Sequence, residues 1–433
     1  MPRLNPTALP SAADAGAEMH ELMRELYPIC RSLSGDGVRQ TFARIGRDVQ
    51  LERTEVPSGT QVYDWTLPRE WNISGAWIDG PGGERIVDFA DSNLHVLGYS
   101  TPVRARLTLD ELRPHLFSDP EHPDRIPFRT SYHNENWGFC LRHDTLESLG
   151  DGEYDVRIDA SLEPGSISLA EARIAGELAD EIVVSTYADH PSLCNDNLSG
   201  VVLVATLAKH ISRLRPRHTF RFLFGPATIG PLIWLSRNES GIPRIRHGLV
   251  ACCCGDPGHV TYKRSRRGVA DVDRAVEHVL ATSGRKHEIR PFTPLGGDER
   301  QFCSPGFDLP FGTLTRTPAD EFPGYHSSAD DLELVRPAAL GDSFAVYAEV
   351  LGVLDGNATY RNLNPKGEPQ LGKRGLYRTV GGGSFTEGPL LWVLNQSDGS
   401  NDLLAVAERS GLPFSQVREA ADQLLAADLL ADA

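Results

Sequence analysis

Residues 181–200, EIVVSTYADHPSLCNDNLSG, decide the fold. They open as an apolar, β-branched run with strand character and continue as a loop rich in turn-forming residues. The chain then enters VVLVATLAKHISRL (201–214), a largely apolar stretch of helical length. The alternation recurs downstream. TFRFLF (219–224) reads as a strand, GPATIG (225–230) as a turn, PLIWLSRN (231–238) as a helix, and GLVACCC (248–254) as a strand ending at GDPGH (255–259). Apolar runs alternating with helical segments predict a parallel, doubly wound sheet covered on both faces. Ligands of such sheets collect at the carboxyl ends of the strands, where His190, Asp196, Ala227 and Asp256 fall.

On either side the texture changes. Residues 15–33 carry apolar side chains at helical spacing (Met19, Leu22, Met23, Leu26, Tyr27), and a short helix is predicted over 38–45. From 61 to 167, strand-like runs alternate with Pro/Gly turns, which predicts a separate β-rich module. Near the end, amphipathic segments 401–410 and 414–425 flank Gly411-Leu412-Pro413, the pattern of a helix-turn-helix or winged helix.

The 433 residues allow two or three domains, and 43 Lys+Arg against 59 Asp+Glu leave a charge of −16. So acidic a chain is a poor general binder of nucleic acid or anionic membrane. From Glu368 onward, five basic residues face nine acidic ones, and segment 414–425 offers Arg418 alone against Glu419 and Asp422. That charge disfavours a DNA-reading role for the winged helix and favours a protein contact or a lid. No apolar run of bilayer length and no signal-like N-terminus is read, so no membrane partner is expected. Seven cysteines, three of them consecutive (Cys252–Cys254), predict reduced thiols in a cytoplasmic protein. The sequence leaves monomer and homo-oligomer open.

Chemistry concentrates in four side chains. Hydrolytic divalent metals are held by imidazole nitrogen and carboxylate oxygen with one position left open. His190 and Asp196 lie on one strand-to-helix loop, which Asn195 and Asn197 can brace through side-chain to backbone hydrogen bonds. Asp256 follows the cysteine strand. His326 sits in GYHSSADD, where Ser327, Ser328 and Asp330 could orient its ring.

The motifs His190-Pro191-Ser192, Asn195-Asp196-Asn197-Leu198-Ser199-Gly200, Pro226-Ala227-Thr228-Ile229-Gly230 and Tyr325-His326-Ser327-Ser328-Ala329-Asp330 resemble a bacterial aminopeptidase-like family related to the co-catalytic zinc aminopeptidases. WGFC (137–140), YKRSRRG (262–268) and GGDERQFC (296–303) extend the likeness over nearly the whole chain. It implies an α/β/α aminopeptidase-like core (1–60 and 168–362), a β-rich inserted domain (61–167) and a C-terminal winged helix (366–433). It also implies zinc held by His190, Asp196, Asp256 and His326, with Asp196 as the bridging carboxylate.

Related enzymes place two adjacent glutamates, a general base and a metal ligand, where this chain has Ala227 and Thr228. One Zn²⁺ at His190-Asp196-Asp256 is therefore expected, and a second, left with Asp196 and His326, is held weakly. Asp298, Glu299 and Glu321 are the candidates to replace the missing base. Tyr132, Arg264 and Arg300 are expected substrate contacts, with His133 and Trp137 roofing the cleft and Arg316 a further anchoring cation. Taken alone, each also has a structural reading: aromatic clusters build cores, and basic runs are solvated loops. The function implied is hydrolysis of an amide or peptide bond in a small-molecule or peptide substrate. The alternative is a binding or biosynthetic accessory protein that kept the pocket and lost hydrolysis.

Overall fold

The computed structural model describes residues 3–132, 134–376 and 387–433. An eight-stranded sheet runs through its centre, in the spatial order Glu52–Pro57, Ser166–Ile174, Thr219–Gly225, Glu181–Tyr187, Ile245–Ala251, Phe311–Thr315, Val260–Lys263, His287–Arg290. The four middle strands are parallel, and every residue of Glu181–Tyr187 is buried. The sheet is not parallel throughout, however. Glu52–Pro57 and Ser166–Ile174 join one side antiparallel, and Val260–Lys263 meets Phe311–Thr315 antiparallel on the other. Parallel strands need both faces covered and apolar runs to match. The mostly exposed edge Glu52–Pro57 (ERTEVP) has no such run and pairs antiparallel instead.

Two helices position the site. Ser199–Ile211 buries nearly every side chain under the sheet. Gly200 lets its first turn approach the neighbouring strand, because a Cβ there would stand 2.5 Å from the Ala251 carbonyl oxygen. Ala12–Leu26 is capped by the Ser11 hydroxyl and buries Met19, Leu22, Met23 and Leu26 at helical spacing. Its partner is Pro337–Gly356, a helix long and apolar enough to span a bilayer, contrary to the sequence reading, yet packed mostly inside the protein. Gly16 and Gly341 face the partner backbones so closely that neither position has room for a Cβ.

The β-rich module is a four-stranded antiparallel sheet, Arg85–Asp88, Glu70–Asp79, Glu153–Glu163 and Val103–Thr108. Three residues after Glu163 the chain re-enters the central sheet at Ser166. Trp71, Ile78, Val156 and Ile158 share one apolar cluster with Val183, Ile233 and Phe311 of the core.

The winged helix threads Thr359–Asn362 between Asp398–Asp402 and Leu430–Asp432. It docks through Arg274, which pairs with Asp402 at 3.1 Å and Glu408 at 2.8 Å. The α/β class with a β-rich insertion and a terminal winged helix is as expected. All seven cysteines are free.

Candidate metal centre

The loop after Glu181–Tyr187 gathers donors at the carboxyl end of the parallel strands. Ligand atoms of His190, Asp196 and His326 all lie within 4.8 Å of one another, and among the described residues no other such group of His, Cys, Asp or Glu occurs. His190 Nδ1 is 3.8 Å from Asp196 Oδ1, and His326 Nε2 is 3.0 Å from Asp196 Oδ2. His190 Nδ1 is buried without a hydrogen-bond partner, a cost of ~1–3 kcal/mol unless a ligand takes it. Two imidazoles and a carboxylate suit a borderline cation with an open position. The three residues therefore fit the metal that the resemblance implies.

Each donor is held from outside. The Asp330 carboxylate accepts the Asn195 and Asp196 amides at 2.5 and 2.8 Å. Burial pushes Asp330 up to about 8. Tyr187 donates its hydroxyl to Asp196 Oδ1 at 2.5 Å. Burial alone raises the Asp196 carboxyl, but His190 and His326 beside it hold it below its ordinary value. The Asn195 and Asn197 side chains do brace the loop, though against residues 253–256: Asn195 Oδ1 accepts from Gly255 and Asp256, and Asn197 Oδ1 from Cys253.

Two positioning residues escaped the sequence reading. Arg31, 2% exposed, donates to the carbonyls of His190 and Pro191 at 2.8 and 3.1 Å. Phe128, from the β-rich module, stands edge-on to both His190 and His326, each ring 5.2 Å away. Its amide donates to the His326 carbonyl at 2.7 Å.

Asp256 does not join the three. Its Oδ1 accepts the Thr317 amide at 3.0 Å, and its Oδ2 accepts the Thr317 hydroxyl and the Gly258 amide at 2.5 and 2.9 Å. Both oxygens are thus engaged in pinning a turn. Ser327 and Ser328 bond to Gly324 and to the Ile126 amide rather than to the His326 ring.

At the loop that lacks the two glutamates, carboxylates arrive from elsewhere. Asp189 Oδ1 accepts the Ala227 amide at 3.0 Å, and Asp298 Oδ1 accepts the Thr228 amide at 2.6 Å. Burial, with Asp189 and Glu299 adding to it, pushes Asp298 up to about 7. Arg300 Nη2 donates to the Thr228 hydroxyl at 3.1 Å, and its buried Nε has no partner. Burial, joined by the charge of Asp189, raises the Tyr132 hydroxyl.

The other expected contacts are placed differently. Glu299 is fully buried against Lys263 and the Thr313 hydroxyl. Arg264 pairs with Glu277, Glu321 with Arg290, and Arg316 with Asp342. Trp137 stacks on His115, 3.6 Å between rings. His133 lies outside the described residues. A cleft of about 1120 Å³ between Tyr27, Trp71, Phe89 and Ser192 meets the His190 loop at Ser192 but is lined by none of the three donors.

The model of a family described as a domain of unknown function, DUF4910, matches residues 20–357, and a winged helix-turn-helix model matches 358–432. A Clostridium acetobutylicum protein named "putative polysaccharide biosynthesis protein with aminopeptidase-like domain" is 50% identical over 423 residues, covering 97% of each chain. A crystal structure described as a putative peptidase from Clostridium acetobutylicum is 48% identical, covers 98% of this chain and 97% of its own, and has a TM-score of 0.93. A zinc aminopeptidase from Bacillus subtilis shares the fold at 12% identity, with TM-score 0.58 over 80% of this chain and 95% of that one. By these matches the chain belongs to the DUF4910 family through residues 20–357, which take an aminopeptidase-like α/β fold, and carries a winged helix-turn-helix after them.

Proposed function

We propose that this protein is a zinc-dependent hydrolase of an amide or peptide bond in a small substrate. The observation that carries the reading is the convergence of His190, Asp196 and His326 on one point, with the His190 Nδ1 buried and unpartnered. A zinc ion bound there supplies Lewis-acid polarisation of the scissile carbonyl.

The chain's own residues do the rest. Asp298 takes the role of the absent glutamate. Its Oδ1 is held by the Thr228 amide, which leaves Oδ2 to accept and return a proton. A carboxyl near 7 is matched to that task at neutral pH, and a positioned base is worth ~10²–10⁴ in rate. Arg300, held on this loop by the Thr228 hydroxyl, and Tyr132 orient the substrate, with the buried, unpartnered Nε of Arg300 the donor for a carboxylate or carbonyl oxygen. Seven free cysteines accord with a reducing, cytoplasmic setting.

A second reading has a specific observation behind it. Ala227 and Thr228 stand where related enzymes carry both glutamates, and the Clostridium acetobutylicum relative is named for polysaccharide biosynthesis. On that reading the same pocket binds a small ligand without cleaving it. Incubation of zinc-loaded protein with a panel of aminoacyl amides and dipeptides separates the two. Turnover abolished by His190→Ala and Asp298→Asn supports the hydrolase; stoichiometric zinc without turnover of any panel member supports the binder.

A further inference from the structure

The carboxylate expected after the cysteine strand is committed to Thr317 and Gly258, yet the strand leads directly to another donor. Past the end of Ile245–Ala251, Cys253 is fully buried, with its sulfur 4.0 Å from Asp196 Oδ1, the oxygen that also faces His190 Nδ1. Its backbone is held on both sides. The amide donates to Asn197 Oδ1 at 3.2 Å, and the carbonyl accepts from the Thr315 hydroxyl and the Arg316 amide at 3.0 and 2.9 Å. It keeps a positive φ of 48°, a conformation that side chains other than glycine's seldom adopt. Cys254, by contrast, sends its sulfur to the Cys252 and Leu314 carbonyls, away from the donors.

We propose that the Cys253 sulfur is a ligand of the cation held by His190, Asp196 and His326, in the place that chain order assigns to Asp256. The inference rests on the metal reading above and goes beyond it by fixing the protein ligands, so that a substrate oxygen joins by raising the cation's coordination from four to five. Charge supports it: the Asp196 carboxylate and one thiolate balance a divalent cation in a buried pocket, where unpaired charge is costly. Chemistry supports it as well, since thiolate with imidazole selects zinc or cobalt over magnesium or manganese. On binding, the Cys253 S–H bond breaks, a sulfur–metal bond forms and the proton leaves to the buffer.

The test loads metal-free full-length protein with one equivalent of Co²⁺ at pH 8 and reads near-ultraviolet absorption and proton release. Wild type is expected to show a thiolate-to-cobalt charge-transfer band and to release one proton more than Cys253→Ser. Cys253→Ser is expected to bind cobalt without the band and to hold zinc at least ~10-fold more weakly, the low end for losing even an outer partner of a ligand. Cys254→Ser is expected to keep the band. Cobalt bound stoichiometrically by wild type without a thiolate band overturns the ligand assignment and leaves the metal reading standing. A band lost in Cys254→Ser but kept in Cys253→Ser also overturns it. Absence of cobalt binding overturns both. Because the decisive spectrum is that of wild type, the test stands even if a serine variant fails to fold.

Discussion

The guanidinium of Arg31 donates its Nε–H to the carbonyl oxygen of His190 at 2.8 Å, across 159 residues of sequence. With its bonds to Pro191 and Leu26, this buried cation ties the end of the first helix to the backbone of the metal loop. Arg31→Ala leaves the His190 carbonyl without its donor and removes the second donor from the Leu26 and Pro191 carbonyls, which keep the Ile29 and Leu193 amides. Removing a cation whose burial pushes it down to about 10 offsets part of that loss. The expected net destabilisation is ~2–4 kcal/mol in urea unfolding, with zinc held more weakly. Arg31→Lys is not expected to restore the loop, because an ammonium lacks the fork that reaches several carbonyls.

Phe128 fixes the angle between the two imidazoles from the inserted module. Phe128→Ala is expected to cost ~3–5 kcal/mol and to weaken zinc by ~10–100-fold, while Phe128→Leu keeps most of both. Thermal unfolding and zinc titration of the two variants check this.

Asp298 predicts a pH signature. Its folded value of about 7 lies above that of the unfolded chain, near 3.8, because burial, Asp189 and Glu299 outweigh the Thr228 amide and Arg300. The unfolded chain therefore loses its proton first, and stability falls between about pH 4 and 7, then levels. At ~1.4 kcal/mol per unit, wild type should lose roughly 2–3 kcal/mol between pH 5 and 8 that Asp298→Asn does not. Urea unfolding at both pH values measures the difference. Turnover, which needs the ionised form, should rise through pH 7 in wild type and fall by ~10²–10⁴ in Asp298→Asn.

In the winged helix, the one cation of Phe414–Ala426 is already engaged. Arg418 donates to the Gly356 carbonyl and the Tyr360 hydroxyl and pairs with Asp422. A mobility-shift assay at low salt is expected to show no salt-dependent retardation of duplex DNA.

What could be read from the sequence was local. His190 and Asp196 share one loop and one turn chemistry, and the HSSADD motif marked His326. The alternation of the module strands and the spacing of Met19, Leu22, Met23 and Leu26 were equally visible. Arg31 and Phe128 act through contacts that no local pattern records. The antiparallel flanks of the sheet depend on which strand lies beside which, and periodicity says nothing of that. Asp256 was assigned by its place after a strand, but Ile245–Ala251 ends five residues earlier, and Thr317 from a distant segment takes its carboxylate. The same chain order hid Asp189, whose carboxylate accepts the Ala227 amide where a glutamate was missing.

Elemental analysis of purified protein and of its single-residue variants tests the central claim most directly. One zinc per chain is expected in wild type, retained by Asp256→Asn and lost in His190→Ala, Asp196→Asn and His326→Ala. Zinc lost in Asp256→Asn but retained in His326→Ala, or a wild type that takes up none from a zinc-containing buffer, would contradict it.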